Sequence, residues 1–121
     1  MSKQKDKGRR LENEIARTLT EGGIPSERIP LSGSFGGKYD CDVVIGTPDA
    51  PKAKIECKFR ENISLQLWDW LEGNDYLMIR RSNKKPLVVM SIEEFIRLRK
   101  ELDKKDKVIT GLHLMLDDNQ D

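Results

Sequence analysis

The sequence predicts an α/β fold, a single domain with a mixed central β-sheet flanked by helices. Helix-period segments and short β-prone runs alternate along the chain in the order helix, strands, helix, strands, helix. The apolar residues lie in dense runs, such as residues 43–45 and 87–90, so a chain that is 36% charged is still expected to fold. Its 121 residues are enough for one core and too few for two ordinary domains side by side.

The first helix is predicted over about residues 9–21, where apolar residues recur at helical spacing until Gly22-Gly23 ends the pattern. Residues 1–8, which hold three lysines against one aspartate, precede it, and we expect them to form a flexible basic arm. Glycines and prolines make residues 24–41 mostly loop, with room for one short strand over residues 28–31.

Four further β-prone runs are predicted to be strands that pair two by two across turn-forming residues. A helix is predicted between the two pairs, and another follows the last strand, beginning with the capping box formed by Ser91 and Glu94. We expect the folded domain to span residues 9–116 and an acidic tail to follow over residues 117–121. The strands are residues 42–45 and 54–59, then 76–81 and 87–90, and the middle helix is residues 63–72.

Three acidic residues and one lysine are predicted to meet at the first strand pair. Alternate residues of a strand share a face, so Glu56 and Lys58 point the same way. Asp42 begins the strand that is expected to pair with them. On the first helix, Glu12 lies about 100° from Leu11, inside the core-facing stripe. Because a buried unpaired ion is costly, Glu12 should meet a cation, a metal or a hydrogen-bond network at the sheet.

These carboxylates are the ligands that Mg²⁺ or Mn²⁺ prefers, and the backbone carbonyl of Cys57 could join Asp42, Glu56 and Glu12. Such a metal could activate water and stabilise negative charge on a phosphodiester. The Lys58 ammonium could orient the attacking water or offset charge in the transition state. The chemistry implied is metal-assisted hydrolysis.

The sequence at these positions resembles the PD-(D/E)xK nuclease superfamily, with Asp42 as the spaced acidic residue and Glu56-Cys57-Lys58 as the ExK element. Residues 7–14, which open the first helix, and Ser32-Gly33-Ser34 in the following loop extend the likeness. Together they resemble the archaeal-type Holliday junction resolvase family and its bacterial and phage relatives, over roughly residues 7 to 60.

The resemblance implies a restriction-endonuclease-like core and a homodimeric, divalent-metal-dependent endonuclease that cuts four-way DNA junctions. It gives catalytic roles to Glu12, Asp42, Glu56 and Lys58, and to one serine of the loop, for which Ser32 and Ser34 are both candidates. Residues 9–116 would then be the nuclease domain. The remainder of the chain after residue 60 has no matching motif, and Cys41 stands where the superfamily usually has proline.

Basic residues around this site are expected to bind DNA phosphates, because Lys and Arg supply most non-specific affinity. The hairpin cations Arg80, Arg81, Lys84 and Lys85 extend this surface or are ordinary turn residues. On the middle helix, Leu65 and Trp68 fall outside the main apolar stripe, so we expect dimer contacts there in preference to base stacking. The expected DNA-binding residues are Lys7, Arg9, Arg10, Lys38 and Arg60.

Composition excludes several other classes. Two cysteines and one histidine cannot form a four-ligand zinc site or a disulfide framework, and they suit a reducing cytoplasm. No apolar run approaches the length of a membrane span. The alternatives left open are a nuclease of this fold that acts on flap, nicked or linear DNA, and a non-catalytic DNA-binding module.

Overall fold

The computed structural model describes residues 3–30 and 41–118. The chain divides into two compact units, one up to Ile63 and the other from Ser64, and each is described by itself. The first unit begins with helix α1, Lys3–Glu21, followed by the strands β1, Ser26–Arg28, β2, Val43–Thr47, and β3, Ala50–Ile55.

The three strands form one antiparallel sheet in the order β1-β2-β3, with β2 in the centre. Val43, Val44 and Ile45 are consecutive in β2 and all buried, so both faces of the central strand are covered. Leu19 of α1 and Ile24 are equally buried and join this core. Helix α1 ends where the Ile24 N–H bonds the Leu19 carbonyl at 2.8 Å across Gly23, whose φ of 96° suits glycine.

A tight turn joins β2 to β3. Thr47 faces Ala50 in the register, so only Pro48 and Asp49 lie between the two strands. Gly46 adopts a φ of +95°, and the register shifts between Ile45 and Gly46, which marks a bulge.

The second unit contains helix α2, Gln66–Leu71, a hairpin of β4, Leu77–Ile79, and β5, Leu87–Val89, and helix α3, Ile92–Asp118. The hairpin is antiparallel and forms a separate two-stranded sheet. Helix α3 is capped by Ser91, whose hydroxyl accepts the Glu94 N–H at 3.1 Å. None of the residues described in this unit is buried.

The expected α/β class is confirmed, while the sheet corrects the prediction of a mixed one: every described strand pair is antiparallel. For two of the three pairs the connections explain this, because a two-residue turn between β2 and β3 and the short link from β4 to β5 cannot make the crossover that parallel strands require.

Several boundaries also differ from prediction. Helix α1 begins at Lys3, so residues 3–8 are helical instead of a separate arm, because the three lysines and the glutamine of this segment are good helix formers. Strand β3 covers residues 50–55 and not 54–59, because the two-residue turn lets pairing start earlier. Strand β1 ends at Arg28, where the prediction began it. Over residues 3–30 and 41–118, no helix has the length and apolar character needed to cross a membrane.

Candidate active site

The candidate site lies at one end of the three-stranded sheet. The register aligns Arg28, Val43 and Ile55 across β1, β2 and β3 at this end. Asp42 precedes β2 and Glu56 follows β3, so the antiparallel pairing brings these two residues to the same edge. The sequence analysis predicted that the Asp42 strand pairs with the strand that contains Glu56; the pairing of β2 with β3 is confirmed, but β3 ends at Ile55, so Glu56 lies just beyond it.

Asp42 is fixed from both sides by its backbone. Its carbonyl accepts the Ile29 N–H at 2.8 Å, and its own N–H bonds the Ile55 carbonyl at 3.0 Å. Its side-chain Oδ2 accepts the backbone N–H of Cys57 at 2.8 Å. The carboxylate therefore spans from the start of β2 to the Glu56-Cys57-Lys58 segment.

Glu12 projects from α1 to the edge strand β1. Its Oε2 accepts a hydrogen bond from Arg28 Nε at 2.8 Å, and the Glu12 side chain is only 16% exposed. The expectation that a core-facing Glu12 must meet a cation, a metal or a hydrogen-bond network is met by the guanidinium of Arg28. Sequence reasoning missed Arg28 as a site residue, although the need of Glu12 for a cation was the signal that could have found it.

Glu56 and Lys58 form an ion pair, with 3.0 Å between Oε1 and Nζ. Their side chains therefore lie on the same side of the chain, as predicted, although both residues follow the end of β3 and are not part of a strand. Both side chains are more than half exposed, so the pair contributes little to stability.

The pKa of the Cys57 thiol is affected by the negative charges of the nearby carboxylates. Burial raises its pKa first, and the negative charges of Asp42, Glu12 and Glu56 raise it further, to about 11. All three predicted acidic residues thus act on one half-buried position. The two cysteines are free, and Cys41 is buried in the core, where its thiol packs as a small hydrophobic group.

The negative charges that contribute to the raised pKa of Cys57 also favour a bound cation, whereas burial, the larger cause, disfavours any charged group there. Three carboxylates act on this position, two of them paired with the cations Arg28 and Lys58, and carboxylate oxygens are the donors that hard divalent ions take. The donor chemistry therefore fits such an ion. In the part of the chain that the structure describes, no three acidic, histidine or cysteine side chains already converge as a metal-binding group.

The predicted DNA-binding residues are placed unevenly. Lys7 donates to Glu61 Oε1 at 2.7 Å and lies 5.3 Å from the centroid of the Phe59 ring, so it links α1 to the chain after β3. The Lys7 hydrogen bond and charge lower the pKa of Glu61. Arg9, Arg10 and Arg60 are exposed. Three predicted residues lie outside the described ranges, namely Ser32, Ser34 and Lys38.

The comparison with protein families gives the family of the chain. The model of the family described as "Phage putative PDDEXK endonuclease" matches residues 3–75. The chain belongs to this family. Comparisons with curated proteins and with solved structures found no match.

Membership of this PDDEXK endonuclease family confirms the resemblance to the PD-(D/E)xK superfamily and makes the chain a nuclease, with DNA as the implied substrate. The matched residues contain every element of the site: α1 with Glu12, β1 with Arg28, and Asp42 with the Glu56-Cys57-Lys58 segment. Divalent metals are usual in PD-(D/E)xK nucleases, in agreement with the donor chemistry at this edge of the sheet. Most of the second unit lies beyond the match.

Proposed function

We propose that the chain is a Mg²⁺- or Mn²⁺-dependent endonuclease that hydrolyses DNA phosphodiesters at the Asp42 edge of the sheet. The observation that carries the proposal is the meeting of Asp42 and Glu56 at one end of the sheet, where the Asp42 carboxylate accepts the Cys57 N–H between Glu56 and Lys58. Asp42 and Glu56 would hold the metal, with Glu12 and the Cys57 carbonyl nearby. When bound, the metal would acidify water and neutralise charge on the phosphate.

Lys58 is the group proposed to act on the attacking water. Its ammonium is more than half exposed, and it pairs with Glu56, whose side chain is also more than half exposed. An exposed pair of this kind exchanges partners at low free-energy cost. Lys58 can therefore turn from Glu56 to a water molecule or to a phosphate oxygen once DNA is present.

In this proposal, Glu12 and Arg28 position the elements around Asp42. Their ion pair joins α1 to β1 beside Asp42, since Arg28 faces Val43 in the register. Arg28 thereby offsets the charge of Glu12, which limits the repulsion that three carboxylates would exert on an approaching phosphate.

We further propose that the DNA is a four-way junction and that the enzyme is a homodimer working in the cytoplasm. The likeness of residues 7–60 to junction resolvases supports the substrate, and a two-fold dimer would present two sites to two symmetric strands. The exposure of apolar side chains in the second unit, including Leu65 at 76% and Trp68 at 58%, supports a partner.

The test is cleavage of end-labelled four-way junctions and matched linear duplexes, with Mg²⁺, Mn²⁺ or EDTA. Asp42→Asn and Glu56→Gln remove one charge each with little change of shape, and we expect each to lower the cleavage rate at least about a hundredfold. Asp49→Asn is the matched control, because this exposed carboxylate lies in the turn at the far end of the same hairpin.

Each outcome separates the alternatives. Paired symmetric nicks in junctions alone, lost in EDTA and in both variants, would support a resolvase. Equal cutting of both substrates would keep the metal-dependent nuclease and reject junction selectivity. Tight junction binding without cleavage in either metal would favour the non-catalytic DNA-binding module.

A further inference from the structure

The β4–β5 hairpin carries the most one-sided charge of the second unit. No acidic residue occurs from residue 76 to residue 92, whereas the turn region contains four cations. All four side chains are exposed, and within the described part of the chain none has an ion-pair partner. They are Arg80, Arg81, Lys84 and Lys85.

Four cations elsewhere in the described chain are paired with carboxylates. Lys7, Arg28, Lys58 and Arg97 each contact a carboxylate within 3.0 Å. Unlike these four, the hairpin cations repel one another without a compensating anion. Contact with a row of phosphates would relieve this repulsion and release the counterions of the nucleic acid.

The shape of the hairpin also suits a nucleic acid. The four cations line one open cleft of about 480 Å³, with Ile79 and Leu87 as its apolar sides. These two residues face each other in the β4–β5 register, so the cleft lies at the turn end of the hairpin. The turn is held by the Lys84 N–H, which bonds the Arg81 carbonyl at 3.1 Å, and by Asn83 at a φ of 63°.

We propose that the turn end of the β4–β5 hairpin is a second DNA-binding site, which contacts the phosphate backbone of the nucleic acid. A two-stranded ribbon is narrow enough to enter the major groove of B-form DNA, and cations at its tip then reach phosphates on the groove walls. The inference rests on the proposed function in one respect, namely that DNA is the ligand. It adds a contact at a hairpin that lies beyond residues 3–75, the residues that the family match covers.

The test measures binding of the full chain to a fluorescein-labelled 30-base-pair duplex in EDTA, from 50 to 200 mM KCl. The quadruple variant R80Q/R81Q/K84Q/K85Q should bind at least about tenfold more weakly at 100 mM. The slope of the log of the binding constant against the log of the salt concentration is negative. Its magnitude should decrease by up to about 3.6, at roughly 0.9 for each phosphate that the variant no longer neutralises. The variant K84R/K85R keeps the charge and should bind like wild type.

The matched control removes four charges from α3 instead. Lys100, Lys104, Lys105 and Lys107 are exposed, and their combined change to glutamine should alter the slope by less than half as much. Circular dichroism melting checks that the hairpin variant still folds, as expected because the four side chains make no ion pair in the described structure.

An unchanged slope in the hairpin variant, or an equal fall in the α3 control, would overturn the proposal, as would a wild-type chain that fails to bind at 50 mM KCl. Cleavage is scored separately. A hairpin variant that binds like wild type rejects this site and leaves the nuclease intact, whereas hairpin-dependent binding without metal-dependent cleavage rejects the catalytic proposal alone.

Discussion

Two ion pairs at the candidate site differ in how much water reaches them. Glu12 and Arg28 are largely screened from solvent, whereas Glu56 and Lys58 are mostly exposed. Water weakens the attraction between exposed charges and reduces the penalty for separating them. The first pair is therefore expected to contribute to stability, and the second is free to change partners during catalysis.

Arg28→Met removes the cation from a carboxylate that stays partly buried. We expect the free energy of unfolding to fall by about 1–2 kcal/mol, less than for a fully buried pair because both side chains keep some contact with water. Urea denaturation measures this change.

The control for this change is Lys58→Met at the exposed pair, with an expected shift within about 0.5 kcal/mol. Adding Glu12→Gln to Arg28→Met should restore part of the stability, because the unpaired charge is then gone. Equal losses of stability in Arg28→Met and Lys58→Met would contradict the distinction between the two pairs.

Helix α3 begins with a network that the capping box predicted only in part. The Ser91 hydroxyl caps the Glu94 N–H as expected, but the Glu94 carboxylate does not reach back to Ser91. It accepts hydrogen bonds from Tyr76 and from Arg97. The network thus joins the start of the hairpin to the first turn of the helix.

This network predicts a pH dependence of stability. The hydrogen bonds from Arg97 and then Tyr76 lower the pKa of Glu94 to about 2. A lowered folded-state pKa means that the contribution is present above the ordinary value of 4.5 and is lost as the pH falls towards 2. Glu94→Gln should therefore lower the melting temperature at pH 6 and have little effect near pH 2.

The adjacent Glu93→Gln is the control for thermal melts between pH 2 and 6, because Glu93 is exposed and makes no ion pair in the described structure. A Glu94→Gln effect that stays constant over this range would argue against the network.

Two glycines predict opposite effects of the same substitution. Gly46 has a φ of +95°, and a Cβ there would lie 3.0 Å from the Ala50 carbonyl oxygen. Gly46→Ala should therefore destabilise the chain by about 1–2 kcal/mol. Gly8 lies inside α1 with open space around it, so Gly8→Ala should stabilise by up to about 1 kcal/mol. Urea midpoints of the two variants that shift in the same direction would contradict this interpretation.

Local sequence patterns predicted which strands form hairpins. The contacts between elements that are distant in the sequence could not be predicted in this way. Turn-forming residues at 46–51 and 82–86 correctly indicated two hairpins, because such residues act on their immediate neighbours. The approach of Asp42 to Glu56 followed from the first of these hairpins, which joins β2 to β3. Arg28 could not be assigned in the same way, because its contact with Glu12 depends on how α1 lies against β1. The length of β3 was missed because a strand can begin directly after a two-residue turn.

The distribution of buried residues is uneven over the described chain. All the fully buried hydrophobic residues there lie between Leu19 and Ile45, and the described part of the second unit has none. Helix α3 nevertheless extends over 27 residues, and helices in proteins draw most of their stability from packing of an apolar face. Its apolar residues Phe95, Leu98, Leu102 and Ile109 follow heptad spacing. We expect this ridge on α3 to be covered by the second copy in the proposed dimer.

The proposed dimer predicts that sedimentation gives twice the chain mass of 13.9 kDa. Leu102 and Ile109 are 47% and 53% exposed, so L102E/I109E should dissociate the dimer without disturbing a buried core. Lys104→Glu, about 200° around the helix from Leu102, is the control and should remain dimeric. A dimer that persists in L102E/I109E would move the interface elsewhere, with Leu65 and Trp68 as the next surface to change.

The hydrogen bond from the Cys57 amide to Asp42 gives the site its own spectroscopic reporter. A divalent ion that draws electron density from Asp42 changes the proton environment of that single amide. Its ¹H–¹⁵N resonance should therefore shift during a Mg²⁺ titration of the DNA-free chain, and the shift should vanish in Asp42→Asn. Metal affinity can in this way be read at one backbone position, without substrate and without turnover.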